Sequence, residues 1–119
     1  MIHQDTIVAL ATPSGAGAIA IIRLSGKDAI TIASQVFNSI RNKDLSVQKS
    51  HTVHLGNIVD GNRIIDEVLA TVFKNPNSYT GENVVEFSCH GSAYIQQEII
   101  QLLLRKGSRM ATAGEFTLQ

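Results

Sequence analysis

Apolar residues recur with two different periods along this chain, and the changes of period divide it into predicted strands and helices. Segments such as TIVALA and AIAIIRLS are apolar on both faces, which is typical of buried strands. Asp60-Gly61 is a strong turn signal between two strand-like segments. The pattern predicts strands over 6–11, 18–25, 51–59, 63–65, 68–73 and 84–90, with a short strand near 109–111.

Apolar residues at helical spacing predict two helices. The first is expected to run through about residue 40, with a buried stripe formed by Ala29, Ala33, Val36, Phe37 and Ile40. The second follows a cap at Ser92 and ends at Gly107, with a buried stripe formed by Ile95, Ile99, Leu102 and Leu103. The polar stretch 41–50 is expected to be a surface loop. The predicted fold class is α+β, a mixed sheet with two main helices packed on one face.

The glycines in TPSGAGAIAIIRLSG suggest a phosphate-binding loop, because Gly15-x-Gly17-x-x-Ala20 fits a relaxed dinucleotide fingerprint. That fingerprint needs a helix directly after the glycines and an acid about 20 residues later. Here the glycines lead into Ile19-Ala20-Ile21-Ile22, which favours a strand, and residues 35–38 contain no acid. Local evidence therefore favours a tight connection between two strands over a nucleotide site.

Arg23 and Glu86 are the two charged residues whose positions need an explanation. Arg23 lies in a segment that is apolar on both sides, so it must reach an anion or solvent. It is either a ligand contact or a rim arginine that pairs with a neighbouring strand. Glu86 lies on the polar face of the alternating VVEFSCH segment, with Ser88 and His90. That face is either solvated or binds a planar ligand with two adjacent N–H groups, such as a pterin.

Composition narrows the possible functions. A chain of 119 residues is expected to form a single domain, 1–119. Ten basic and ten acidic residues cancel, which argues against unaided binding of nucleic acid through its phosphates. The single cysteine excludes an internal disulfide. The sequence shows no signal peptide and no membrane span, so the cytoplasm is the expected location. Cys89 faces the apolar side of its strand, so we expect a buried thiol and no metal site.

Three segments together carry a family resemblance: DTIVALATPSGAGAIAIIRLSG (5–26), DEVLATVFKNPNSYTGENVVEFSCHGS (66–92) and AGEFTLQ (113–119). The most specific signature is Ser78-Tyr79-Thr80-Gly81-Glu82, followed by Val-Glu and then Cys-His-Gly. In these motifs the chain resembles the N-terminal domain of the tRNA-modification GTPase family MnmE, also called TrmE. The resemblance extends from Asp5 to the end, and the 41–50 region is its weakest part.

The resemblance implies a fold similar to the tetrahydrofolate-binding domains of glycine-cleavage aminomethyltransferases. It also implies a homodimer that binds 5-formyl- or 5,10-methylene-tetrahydrofolate, the proposed source of a one-carbon unit for C5 of the wobble uridine of tRNA. Arg23 and Glu86 match the folate-contacting arginine and glutamate of the family. Tyr79 is expected to shape the mouth of the pocket, and Tyr94 is a second aromatic candidate for stacking. No catalytic residue is assigned to the fragment alone.

The resemblance further implies that this chain is the front module of a longer GTPase. GTP, with Mg and K, would bind only in a separate G domain inserted in a helical domain, both of them outside this chain. The expected partners are a MnmG (GidA) type FAD protein and tRNA, with no membrane. Two motif positions depart from the family: Ala16 stands where an arginine is usual, and Ala113 where a proline is usual.

Two other interpretations remain open at this point. In the first, the chain is a dimerisation and scaffold module with no ligand of its own, and Arg23 and Glu86 form a structural ion pair. In the second, it is a stand-alone folate-dependent aminomethyltransferase domain. The second is disfavoured because the chain is short and the sequence offers no separate catalytic acid.

Overall fold

The computed structural model describes residues 5–11, 18–75 and 82–112, and these form one mixed sheet of seven strands with two helices. This confirms the predicted α+β class. Along the sheet the strands follow the order β3-β4-β5-β6-β2-β1-β7, and every neighbouring pair is antiparallel except β1 with β7. The elements are β1 (Ile7–Leu10), β2 (Ile19–Ser25), α1 (Ala29–Val36), β3 (Phe37–Ser39), β4 (Thr52–Asp60), β5 (Arg63–Phe73), β6 (Val84–His90), α2 (Ala93–Arg105) and β7 (Arg109–Met110).

The hydrophobic core lies between the two helices and one face of the sheet. On β2 the side chains of Ile22 and Leu24 are fully buried there, and on β6 Phe87 is fully buried. We call the opposite face the outer face, and its central residues are at least partly exposed. Its central residues are Ile19, Ile21 and Arg23 of β2, Glu86, Ser88 and His90 of β6, Leu69 of β5 and Leu55 of β4.

The first helix is shorter than the sequence predicts. α1 ends at Val36, and Phe37 adopts an extended backbone with φ −115° and ψ 124° as it begins β3. Its ring packs 6.2 Å from that of Phe87, measured between centroids. The prediction that the helix runs through about residue 40 is wrong, and Ile40 is 55% exposed. Phe37 fits either a helical or an extended pattern locally, and its pairing with β4 favours the strand.

The two predicted strands 63–65 and 68–73 are one continuous strand, β5. Asp66 and Glu67 interrupt the apolar pattern, but both still pair with β4, opposite Ile58 and Asn57. A register shift follows at Ile58/Val59. Strand pairing therefore continues through a polar dipeptide that a local pattern treats as a break.

The polar stretch 41–50 is not entirely a surface loop. It contains a single 3-10 turn, Leu45–Val47, and the Leu45 side chain is only 1% exposed within the core. Asp44 caps this turn, because its carboxylate accepts a hydrogen bond from the Ser46 N–H at 2.9 Å. The local pattern does not mark Leu45 as a core residue, because no periodic apolar neighbours accompany it.

The second helix agrees with its prediction. The Ser92 hydroxyl accepts a hydrogen bond from the Ile95 N–H at 3.0 Å, which satisfies one of the unpaired amides of the first turn. Ile99, Leu102 and Leu103 are fully buried on its core side. Among the described residues, no helix is long and apolar enough to span a membrane.

Candidate functional site

Arg23 and Glu86 lie directly opposite each other on neighbouring antiparallel strands, β2 and β6. Both side chains project from the outer face. The Arg23 Nε–H donates a hydrogen bond to Glu86 Oε2 at 2.7 Å, a short, charge-assisted contact. The side chains are 25% and 18% exposed, so the pair is only partly removed from solvent. The structure therefore brings together the two residues that the sequence singled out separately.

An arginine–glutamate pair can take part in several hydrogen bonds at once. A carboxylate offers about four lone-pair positions and a guanidinium five N–H donors, so each group can hold more than one partner at a time. A partly exposed pair is also weak on its own, with about 1 kcal/mol or less typical of exposed pairs. Arg23 and Glu86 can consequently exchange or supplement their contact when a ligand offers complementary groups.

Two tyrosines are predicted to lie at the site, and the structure describes only one of them, Tyr94. Tyr79, with most of the 78–82 loop, lies outside the described residues, as does the glycine loop at 12–17. Tyr94 lies on α2, which packs on the core side of the sheet, and its side chain is 65% exposed and interacts with Arg63. The structure thus places Tyr94 on the helix side of the sheet, whereas the Arg23–Glu86 pair projects from the outer face, and its suggested stacking on a ligand stays a prediction.

An apolar groove extends along the outer face next to the pair. Its volume is about 170 Å³, and it is lined by Ile19, Leu55, Glu67, Val68, Leu69, Ser88, Cys89 and His90. The lining reaches Ser88, which lies two residues from Glu86 on the same face of β6, so the groove begins one side-chain position away from the ion pair. Sequence alternation placed Ser88 and His90 on this face, but the apolar walls come from three other strands.

The groove ends at a histidine that is held in place by a nearly buried carboxylate. Asp66 accepts a hydrogen bond from the His90 N–H at 2.8 Å, and its second oxygen lies 2.7 Å from His90 Nδ1. The Asp66 side chain is 9% exposed and the His90 ring 71%. Because a carboxylate only accepts, Nδ1 carries the proton and Nε2 is the acceptor of the neutral ring. Sequence reasoning missed this contact, because the residues are 24 positions apart on different strands.

Comparison with known proteins identifies the family of this chain. A family model described as GTP-binding protein TrmE N-terminus matches residues 6–119. The chain belongs to this family. It is 71% identical over its full length to the tRNA modification GTPase MnmE of Flavobacterium psychrophilum, and also 71% identical to that of Flavobacterium johnsoniae. With the tRNA modification GTPase MnmE of Bacillus subtilis it shares 48% identity over 96% of its length.

The chain spans about a quarter of the length of these curated relatives: 26% of both Flavobacterium proteins and 25% of the Bacillus subtilis protein. The match to the TrmE N-terminal family covers every described strand and helix. It therefore confirms the family that the three sequence segments indicated.

Cys89 is among the residues that line the groove, but it is buried and poorly suited to reactive chemistry. In this TrmE-family chain the residue faces the core, with 3% of its surface exposed. Burial, followed by the nearby charge of Asp66, raises the pKa of the Cys89 thiol to about 11. The neutral thiol is a poor nucleophile and a poor metal ligand. Within the described ranges, no three His, Cys, Asp or Glu side chains come together in a way that could hold a metal ion.

Proposed function

We propose that this chain is the N-terminal module of a tRNA-modification GTPase, that it binds a one-carbon tetrahydrofolate, and that it homodimerises. The observation that carries the folate proposal is the Arg23–Glu86 pair, two charged side chains 2.7 Å apart on the outer face beside an apolar groove. Membership of the TrmE N-terminal family supports the wider assignment.

In this proposal Glu86 accepts two N–H bonds from the edge of the pterin ring. A bidentate contact of this kind fixes the orientation of the ring as well as adding binding energy. Arg23 lies directly across from Glu86 and neutralises a carboxylate or polarises a carbonyl oxygen of the same folate. Tyr79 completes the mouth of the pocket. The folate is 5-formyl- or 5,10-methylene-tetrahydrofolate.

The module acts by holding and presenting a cofactor, and the chemistry takes place in the longer protein. There, a G domain outside this chain binds and hydrolyses GTP with Mg and K. The one-carbon unit is destined for C5 of the wobble uridine of tRNA, and a MnmG-type FAD protein is the partner. In this proposal tRNA binds to the full-length complex, and the complex works in the cytoplasm.

The competing interpretation is a dimerisation and scaffold module without a ligand. In that case the Arg23–Glu86 contact is purely structural, as the hydrogen bond between them would also suggest. What favours a ligand is the surroundings of the pair. It lies near a groove whose walls include Leu55 and Leu69, which are 38% and 43% exposed, and a concave apolar surface with a few charged or polar groups beside it is the usual form of a small-molecule site.

Calorimetry with 5-formyl-tetrahydrofolate on the full-length protein separates the two interpretations. Arg23→Ala and Glu86→Gln should each weaken binding about 10- to 100-fold, because hydrogen bonds to charged groups contribute about 1.5–3 kcal/mol. The matched control is the Arg63–Glu98 ion pair, which joins the start of β5 to α2. Arg63→Ala and Glu98→Gln should leave the affinity within about twofold of wild type.

The scaffold interpretation predicts a different result. Wild-type protein would bind no reduced folate, or Arg23→Ala and Glu86→Gln would bind it with unchanged affinity. Either outcome removes Arg23 and Glu86 from the proposed site. Thermal melting of each variant shows whether a lost affinity comes from unfolding.

A further inference from the structure

The outer face carries two polar features on either side of Ser88: the Arg23–Glu86 pair, and His90, which Asp66 orients and which lines the groove together with Ser88. Glu86 and His90 project from the same face of β6, four residues apart. At about 3.3 Å per residue their Cα atoms are roughly 13 Å apart. A single fused ring at Glu86 cannot reach His90, but an extended ligand can.

We propose that His90 binds the far part of the ligand held by Arg23 and Glu86. In this assignment the groove takes the aryl ring of the folate tail, and His90 Nε2 accepts a hydrogen bond from the amide N–H that follows that ring. The proposal rests on the proposed folate function and extends it from the pterin to the aminobenzoyl amide.

The size of the groove matches an aryl ring. Its volume is about 170 Å³, and in another protein an apolar cavity of roughly 150 Å³ holds a benzene molecule. A whole ligand of drug size needs roughly 300 Å³ or more, so the groove accommodates only one part of an extended molecule. The apolar part of its lining suits an aryl ring, because Ile19, Leu55 and Leu69 present apolar surface from three different strands, while Glu67, Ser88 and His90 supply the polar part.

The hydrogen bonds to Asp66 determine which hydrogen-bonding group of His90 faces a ligand. Asp66 accepts both from the His90 backbone N–H and from its ring, which fixes the ring orientation as well as the tautomer. A neutral ring held in this way presents Nε2 as an acceptor, so it selects an N–H or O–H donor. Glu67 lines the same groove and disfavours a ligand carboxylate there. The carboxylates of the folate tail therefore lie beyond the groove, toward solvent, and of the two roles proposed for Arg23 the one that applies here is to polarise a carbonyl oxygen of the pterin.

Two probes separate this inference from the function on which it rests. Calorimetry on the full-length protein would compare 5-formyl-tetrahydrofolate with 6-methyl-tetrahydropterin, a reduced pterin that lacks the aminobenzoyl amide. His90→Ala should weaken the complete folate about five- to tenfold, as expected for the loss of one hydrogen bond. Leu69→Thr, which removes apolar wall but keeps a strand-forming residue, should have a similar effect. Neither substitution should change the affinity for the pterin by more than about twofold.

The controls use both ends of the site and a residue outside it. Arg23→Ala and Glu86→Gln should weaken both probes, and Tyr94→Ala, on the core side of the sheet, should weaken neither. If His90→Ala and Leu69→Thr bind the complete folate as wild type does while Glu86→Gln loses it, the extension to His90 is wrong and the folate site stands. If wild-type protein binds neither probe, the folate function itself fails, and this inference fails with it.

Discussion

Cys89 lies on the core side of β6, where only 3% of its surface is exposed. Its pKa of about 11, compared with an ordinary 9.0, means that the folded chain holds about 100-fold less thiolate than the unfolded chain at pH 8. We therefore expect a thiol reagent to modify Cys89 at least about 100-fold more slowly in the folded chain than in urea. Absorbance of the released chromophore measures this directly, because Cys89 is the only cysteine of the 119 residues.

The same shift gives a direction for stability at high pH. The pKa of the Cys89 thiol is raised in the folded state, so the stability that the neutral thiol contributes is fully present below about pH 9.0 and is lost as the pH rises through about 11.

Asn62→Cys, in the exposed turn after β4, is the positive control for the thiol-modification rate, because its added thiol should react at once. If Cys89 reacts as fast as the added thiol, the side chain is accessible and its assignment to the core is wrong.

At the level of single residues, the sequence indicated the right groups but not their contacts. Arg23 is recognisable because its charge interrupts an otherwise apolar strand, and Glu86 because it lies on the polar face of an alternating strand. Their 2.7 Å contact depends on β2 lying beside β6, although the two residues are 63 positions apart. Asp66 carried no signal of its own, since an acid near a turn is usually a solvated residue. Its role becomes visible only when β5 places it against His90.

Among the strands, β3 and β4 meet at a glycine that no local pattern marks as important. Gly56 lies opposite Ser39, and a Cβ atom there would come within 2.6 Å of the Phe37 ring and even closer to the Asn38 carbonyl oxygen. Gly56→Ala should therefore force the two strands apart at a cost of about 1–3 kcal/mol. Urea unfolding should show a lower midpoint with an unchanged slope.

Gly61 supplies the matched control for Gly56→Ala. It lies in the turn between β4 and β5 with φ +62°, and a Cβ atom there has nothing within 4 Å. Asparagine tolerates this conformation, so Gly61→Asn should change the free energy of unfolding by about 0.5 kcal/mol or less. Equal losses in the two variants would mean that close packing between β3 and β4 is not what requires Gly56.

At the scale of the whole molecule, the fold class can be predicted from the composition and from the spacing of apolar residues, whereas the order of the strands cannot. Five of the six neighbouring strand pairs are antiparallel, but β2 pairs with both β1 and β6, and β6 is remote in sequence. That long-range pairing creates the outer face on which the candidate site lies. The edge strand β3 is the one that the local pattern misses, because a three-residue strand has no period to detect. The two-residue edge strand β7 is predicted near 109–111, and the structure has it at Arg109–Met110.

The two faces of the sheet should separate stability from ligand binding, and β2 allows a matched test. Ile22 points into the core and is fully buried, whereas Ile19 lies on the outer face and is 65% exposed. Ile22→Ala should cost about 2–5 kcal/mol, a large share of the 5–15 kcal/mol typical of a domain. Ile19→Ala removes the same atoms but should cost about 1 kcal/mol or less, because little of that surface leaves water on folding. Chemical denaturation measures both values.

Ile19 also lines the groove, so Ile19→Ala should weaken 5-formyl-tetrahydrofolate in the full-length protein while leaving the fold intact. Equal destabilisation by the two substitutions would show that the outer face is covered in the folded protein and contributes to stability as the core does. A large cost for Ile22→Ala alone would instead leave the outer face available for a ligand. The sheet would then use the core face of β2 to stabilise the domain and the outer face of the same strand to bind.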